Sequence, residues 1–464
     1  GLPHIDAISH LPIIECNPLA LLLLSSLFVS ISISLNNLSE MMESSKLENE
    51  TATKKNAKTT QLKMNITLLS VLTLLSCFVN TRSAPTNTLN VIIRYDTDNT
   101  NVTSDSPKMF LRGQGFSEIS WDDSVLCDQV DSTTWKAALT YAEDNTQPQL
   151  KVLIDDSNWQ VGSNVMVKNS SSIVTIYPWF ENQEGTVTYL SQSVQSKKLN
   201  NTRPVVLYVP PSYTENKLSV VRNVLIMQDG NNLFDEIAST CDTCCPLGCW
   251  GLGDTLDETI VSGVTEEILI VGVFNTPQRL SEYTYSQDTT VSSDPALADQ
   301  YLDFIENSVI PLVKQKIRIA NDAKFGLLGS SLGGLLSCYG GWTRPHVYDV
   351  VGCMSSSFWW NLEDFNRDIL HNGTSSSSSS KNNTTFYLDS GTGIPPQSDD
   401  DEFETLRVES SLLSLGKKKN HSLYYYLDDG GQHSEMSWGR RFWIPISLLF
   451  PGSTNTTDFF LPPP

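Results

Sequence analysis

The stretch FGLLGSSLGGLLSCYGG (residues 325–341) holds two adjacent serines between glycines. An apolar run, FGLL, leads into it, and a run with helical character follows. Gly329, Ser330, Ser331, Leu332 and Gly333 fit the pattern G-x-S-x-G with Ser331 at its centre. That pattern suits a serine on a sharp strand-to-helix turn, where side chains two residues before and after would collide with the strand and the helix. Gly334 adds room for close helix packing, and Ser330 takes a structural position. In a serine-rich chain the pattern alone is weak, so its context has to carry it.

The context is an alternation of strands and helices from about residue 203 to 451. RPVVLYVPPSY (203–213), RNVLIMQDG (222–230), EEILIVGVFN (266–275), AKFGLLGS (323–330), VVGCMSSSFWW (350–360), TTFYLDSG (384–391) and HSLYYYLDDG (421–430) read as strands. ADQYLDFIENSVIPLVKQKI (298–317) places Tyr301, Phe304, Ile305, Val309, Ile310 and Val313 at helical spacing. Such alternation predicts a mostly parallel sheet covered on both faces. The serine-rich run TSSSSSSKNNTT (374–385) reads as a flexible insertion.

A serine alcohol needs a general base. Of six histidines, His4 and His10 fall in the leader, His346 follows the elbow helix, His371 adjoins the serine-rich run and His421 precedes a strand. His433 lies in DDGGQHSEMSW (428–438), a glycine-flexed loop after the last strand, where this sheet type delivers its base. The base needs a carboxylate to fix its tautomer. Asp389, Asp399, Asp400, Asp401 and Glu402 follow or end the penultimate strand; Asp400 is chosen, with Asp401 close behind. The chain order Ser331, Asp400, His433 is that of α/β-hydrolases. Oxyanion donors are expected at the backbone N–H of Leu332 and in the turn LIMQDGNNLFD (225–235), at Gly230 or Asn231, with Asn231 taken.

LIMQDGNNLFD, VGVFNTPQRLSEYTY (271–285), GLLGSSLGG (326–334), YLDSG (387–391) and GGQHSEMSWGRRFWIPISLLFP (430–451) resemble, in that order, the "Putative esterase" family, which holds enterochelin esterases, feruloyl esterases and esterase D. The resemblance covers about 250 residues. It implies a triad of Ser331, an acid within residues 399–402, and His433, with no cofactor and no metal. Arg279, Glu282 and Tyr283 match a recurrent segment near the pocket mouth. Trp359, Trp360 and Trp438 are candidates for the pocket wall or for the core.

From about residue 89 to 180 the pattern is different. Short β-rich segments are separated by turn residues and no helical period appears, which predicts a β-sandwich. MFLRGQGFSEISWDDS (109–124), TTWKAAL (133–139) and LKVLIDDSNWQVGSN (150–164) resemble starch-binding carbohydrate modules over roughly one hundred residues. The resemblance implies a sugar platform at Trp121 and Trp159, because an indole stacks on the apolar face of a sugar ring. Core filling is the competing role for each tryptophan.

The 464 residues carry a formal charge of −21, which disfavours a nucleic-acid partner. Two apolar runs precede the folded part, at residues 18–34 and 64–79. Lys54, Lys55, Lys58 and Lys63 precede the second, and NTRSA (80–84) follows it, as in a secretory signal cut near Ser83 or Ala84. A membrane anchor is the competing reading, though the run is short for a full span. N-x-S/T sequons begin at Asn101, Asn169, Asn200, Asn372, Asn382, Asn383, Asn420 and Asn455. CDTCCPLGC (241–249) could close on zinc, but disulfides are expected in an exported chain.

The organisation expected is therefore a leader at 1–84 with a signal peptide at 64–84, a sandwich at 87–182, an α/β-hydrolase domain at 200–452 and a tail at 453–464. The function expected is that of a secreted serine esterase acting on a polysaccharide-linked or glycan-borne ester. A siderophore esterase and a non-catalytic carbohydrate-binding protein are the alternatives.

Overall fold

A computed structural model describes residues 86–96, 107–142, 147–168, 171–370, 382–394 and 400–454. The expected signal peptide, both apolar runs and the serine-rich run through Lys381 lie outside the described residues.

The first part is a two-sheet sandwich. Its strands are β1 (Thr86–Arg94), β2 (Met109–Gln114), β3 (Val125–Leu126), β4 (Asp128–Asp131), β5 (Thr134–Ala142), β6 (Gln149–Ile154), β7 (Asn158–Trp159), β8 (Val165–Met166) and β9 (Ile173–Ile176). One sheet runs β4-β5-β1-β9; the other runs β3-β2-β6-β7, with β8 also on β6. Strict alternation builds the core between them. Leu89, Val91 and Ile93 of β1 point inward against Met109, Leu111, Leu150 and Val152, as a sandwich requires. Trp135 fills this core, while Trp179 packs in the core of the following domain.

That domain is built on one eight-stranded sheet in the order β10-β11-β13-β12-β14-β15-β16-β17. The strands are β10 (Thr186–Ser196), β11 (Asn201–Val209), β12 (Val221–Met227), β13 (Leu269–Val273), β14 (Ile319–Ser330), β15 (Val350–Met354), β16 (Thr385–Gly391) and β17 (Leu423–Asp428). β10 and β11 are antiparallel, as are β11 and β13; the other pairs are parallel. This is the mostly parallel α/β-hydrolase sheet expected. Both faces are buried, so the central strands carry apolar runs such as residues 224–227 of β12 and 269–273 of β13. Val224 and Ile226 of β12 face one core, Leu225 and Met227 the other.

One element was not foreseen and one expectation is corrected. The segment between the predicted domains is an eleven-residue strand, β10, that forms the sheet edge. One face of an edge strand meets solvent, so its sequence lacks the unbroken apolar run of its neighbours. The helix predicted over 298–317 is interrupted by a π-helical turn at Ile305–Val309. The turn leads into Pro311, which lacks an N–H and whose ring crowds the carbonyl four residues back.

The sandwich is fastened to the large domain by a buried carboxylate. Glu215 accepts the backbone N–H groups of Phe180, Glu181 and Asn182 at 2.8, 2.9 and 2.9 Å, and the hydroxyl of Tyr95 at 3.0 Å. Asn216 Nδ2 donates to the carbonyls of Arg94 and Pro178 at 2.9 and 3.0 Å. A cleft of about 430 Å³ lies along this junction, and none of its lining residues belongs to the serine elbow. Replacing Glu215 with Ala strips the acceptor from three backbone donors, which should cost about 3 kcal/mol or more. Urea unfolding followed by tryptophan fluorescence checks this; the midpoint should fall clearly below that of the parent protein.

Candidate active site

Ser331 caps the helix Leu332–Thr343 with φ 58° and ψ −126°. A non-glycine residue occupies that region only where its surroundings impose it. Here the Ser331 N–H donates to Met354 O at 3.0 Å, and Ser331 O accepts from the N–H groups of Leu335 and Ser357 at 3.0 and 3.2 Å. The glycines around it are required by close approach. A Cβ on Gly329 would stand 2.5 Å from Gln228 Oε1 and 2.8 Å from the Gly333 backbone. On Gly334 it would stand 2.3 Å from Ser356 Oγ. Gly333 is less crowded, with its nearest neighbour at 3.3 Å, so the tightest contact on the helix side is one residue later than the motif suggests.

The sheet then brings acid and base together. Gly391, at the end of β16, bridges to Asp400, whose N–H donates to Gly391 O at 2.9 Å. Gly393 N–H donates to Gly431 O at 2.9 Å, and Thr392 N–H to Asp428 O at 3.0 Å. These bonds zip the two loops after β16 and β17 side by side. His433 Nδ1 and Asp400 Oδ1 are 2.6 Å apart. Asp400 is buried and His433 is 42% exposed, so the imidazole is held on one edge and open on the other. It also meets Trp438 edge-on, with centroids 4.9 Å apart. The Ser331 hydroxyl pairs with Ser357 Oγ at 3.3 Å; among the described residues no hydrogen bond joins it to His433. Hydrogen bonds of this kind are often long before substrate is bound.

Burial alone would raise the Asp400 pKa, but hydrogen bonds from His433 and Ser355 and the charges of His433 and Arg441 hold it below the ordinary carboxylate value. Asp389, one strand position inward, is not the partner of His433. It is fully buried, and desolvation raises its pKa despite Arg441. Asp399 lies outside the described residues. Asp401 and Glu402 begin the helix that follows.

Leu332 opens the elbow helix, so its N–H is among those without an intrahelical acceptor. Gly230 and Asn231 open a 3-10 turn behind Asp229, which sits at φ 55°. Asn231 is clamped: its Nδ2 donates to Asn232 Oδ1 and Thr243 O at 2.9 and 3.1 Å, and its carbonyl accepts from Cys245 N–H at 2.9 Å. The segment around Arg279 braces the same turn. Arg279 grips both oxygens of Asp229 at 2.7 and 2.9 Å, and Asp229 N–H donates to the Tyr283 hydroxyl oxygen at 3.2 Å. Glu282 faces away, in a buried pair with Arg203 at 2.7 Å.

Cys241–Cys244, Cys245–Cys249 and Cys338–Cys353 are disulfides, so CDTCCPLGC is paired within itself and not shaped as a zinc site. Among the described residues no cluster suits a metal ion, and no helix is long and apolar enough to cross a membrane. The buried thiol of Cys127 is pushed up to about 12 by desolvation and by Asp128. Trp360 and Trp438 are core residues, while Trp359 is 41% exposed. On the sandwich, Trp121 and Trp159 stand 6.3 Å apart, tilted by 42°, and Arg112 lies over Trp159 at 5.6 Å.

Sequence reasoning missed Ser355, Ser357 and Arg441. The doublet Arg440–Arg441 amid tryptophan and phenylalanine was the available signal, since a helix of that composition cannot keep both charges in water.

The profile of the "Putative esterase" family matches residues 196–444. The uncharacterized protein YbbA of Bacillus subtilis is 25% identical over 173 residues, 36% of this chain and 62% of that protein. The siderophore triacetylfusarinine C esterase of Aspergillus fumigatus is 45% identical over 64 residues, 14% of this chain and 22% of that protein. The chain thus spans less than two thirds of either relative. An IroE-like serine hydrolase from Shewanella oneidensis aligns with a TM-score of 0.40 and 19% identity, over 57% of this chain and 80% of that one.

Because the Asp400 pKa is lowered in the folded state, its ionised form adds stability above the unfolded value of about 3.9. That contribution disappears as pH falls through the folded pKa. The stability difference between the parent protein and Asp400→Asn should therefore be full at pH 6–7, roughly two units or more above that value, and shrink on acidification below about pH 4. Urea titrations across that range measure it.

Proposed function

The chain belongs to the "Putative esterase" family, and from that premise we propose that it is a secreted serine esterase acting through an acyl-enzyme. The observations that carry the reading are the 2.6 Å His433–Asp400 contact and the strained elbow that holds Ser331. In the first step Ser331 Oγ attacks the ester carbonyl while His433 Nε2 takes its proton. Asp400 holds Nδ1 as the protonated nitrogen and balances the imidazolium charge. The N–H groups of Leu332 and Asn231 receive the oxyanion. His433 then returns the proton to the departing alcohol, and water, deprotonated by the same ring, releases the acid and restores Ser331.

A siderophore ester is the substrate class that the local similarity to the Aspergillus fumigatus esterase favours. A sugar-borne or plant-phenolic ester is the second reading, favoured by the Trp121–Trp159 pair. In that reading the sandwich is a starch-type carbohydrate-binding module that brings the enzyme to its polymer. Three disulfides support an oxidising, extracellular setting.

The parent protein should hydrolyse short-chain nitrophenyl esters, and Ser331→Ala or His433→Ala should lower kcat by roughly 10³-fold or more. An inactive parent, or an active Ser331→Ala, refutes the esterase and favours a binding protein on the same fold. Hydrolysis of a fusarinine-type ester in preference to feruloyl sugars, read by mass spectrometry, selects the siderophore. For the sandwich, Trp121→Ala and Trp159→Ala should each abolish retention on a starch column; unchanged retention discards the platform.

A further inference from the structure

Behind the His433–Asp400 pair lies a second buried carboxylate, with a buried arginine between the two. Arg441 is 2% exposed. Its Nη2 donates to Asp389 Oδ1 at 3.0 Å, to Asp400 Oδ2 at 3.3 Å and to Ser355 Oγ at 2.5 Å, and its Nη1 reaches Asp428 Oδ2 at 3.3 Å. Ser355 ties the cluster together. Its hydroxyl donates to Asp400 Oδ2 and accepts from Trp438 Nε1 at 2.9 Å, and its N–H donates to Asp389 Oδ1 at 3.0 Å. Trp438 is the ring that His433 meets edge-on.

We propose that Arg441, paired with Asp389, is a positioning residue that keeps Asp400 ionised and its Oδ1 turned to His433. The inference rests on the esterase reading of Ser331, Asp400 and His433. Two carboxylates sharing one guanidinium nitrogen and one serine cannot both stay ionised in a dry interior without a counter-charge. One would take a proton. A protonated Asp400 could not stabilise an imidazolium. The two environments differ in the direction this requires: Asp389 sits above the ordinary carboxylate range, chiefly through burial, while Asp400 sits below it. Any shared proton is thus steered to Asp389. The guanidinium fork also fixes Asp400 Oδ2, leaving Oδ1 for the imidazole.

Other charged or titratable groups face the cluster from each packed element. Tyr387 of β16 donates to Asp389 Oδ2 at 3.0 Å. Asp428 ends β17 and also receives Arg440 at 3.3 Å, and Tyr426 of the same strand feels Asp428, Arg441, Asp389 and Arg440. Glu435 lies on the helix that carries Arg441. Among the described residues none of these brings a second cation to Asp400; Arg441 and His433 are the charges that lower its pKa.

The test follows kcat/KM for a nitrophenyl ester against pH, the His433 titration by NMR, and urea unfolding. In Arg441→Met the lost cation leaves a proton to be taken up: on Asp400 it disarms the base and on His433 it occupies it, and either moves the acid limb up by about one pH unit, whereas on Asp389 alone it leaves the limb in place. Arg441→Lys keeps the charge but not the fork, so the limb should stay near that of the parent while kcat falls several-fold. The double variant Asp389→Asn/Arg441→Met removes opposite charges together and should bring the limb back.

An acid limb and a His433 titration that stay put in Arg441→Met, with only stability reduced, would leave Arg441 a packing role and overturn the inference, while Ser331-dependent hydrolysis stood. If the parent hydrolyses no ester the functional reading falls by itself, and the His433 titration, which needs no turnover, still decides this one. Should Arg441→Met fail to fold, a Lys variant with the parent's kcat overturns the inference and one with lowered kcat at an unchanged limb supports it.

Discussion

The turn at Ser331 is the constraint from which the rest of the site follows. A serine at φ 58° is unfavourable by itself, and it persists because three neighbours hold it. β15 supplies the acceptor for its N–H, the turn after β15 donates to its carbonyl, and the helix Leu332–Thr343 begins at once beyond it. Each contact needs backbone to approach backbone, which is why Gly329 and Gly334 cannot carry side chains. The disulfide Cys338–Cys353 joins that helix to β15, the same two elements that grip the serine. The sheet and its covering helix therefore act as a mould for one dihedral pair.

Asp400 and His433 are brought together by a different device. Neither sits on a regular element; both sit on loops, and loops are ordinarily the least certain part of a fold. Here the two loops stabilise each other through the Gly391–Asp400 bridge and the Gly393–Gly431 bond. Gly391 is obligatory there, since a Cβ would come within 2.1 Å of Gly431 O. The result is a pair of irregular segments with strand-like registration. The turn at Asp229 and Asn231 is held in a comparable way, by Arg279, Tyr283 and the small disulfide loop.

Much of this was legible in the chain. That Ser331, the acidic run at 399–402 and His433 lie after successive strands was readable from strand order, because in a parallel sheet the loops at one end cluster; which acid of the run meets His433 was not, and the 2.6 Å contact singles out Asp400. The central strands were legible because burial on both faces leaves an unbroken apolar run. β10 was not, because an edge strand needs only half that signal. Arg441 was not, because one arginine of a doublet looks like any surface charge until the carboxylates from Asp389, Asp400 and Asp428 arrive from distant positions. Trp121 and Trp159 were picked from their polar neighbours, and the fold brings their rings side by side; composition could not reveal that contact, which depends on a loop after β2 meeting β7.

The carboxylate of Glu215, planted in the backbone between the two domains, has a mechanical consequence. Many modular proteins hang their recognition unit on a leash, so that the working unit sweeps a volume around its anchorage. With Glu215 and Asn216 bolting residues 94–96 and 178–182 to the large domain, this sandwich has no such freedom. A unit tied at its base in this way turns with the domain that carries Ser331 and not apart from it.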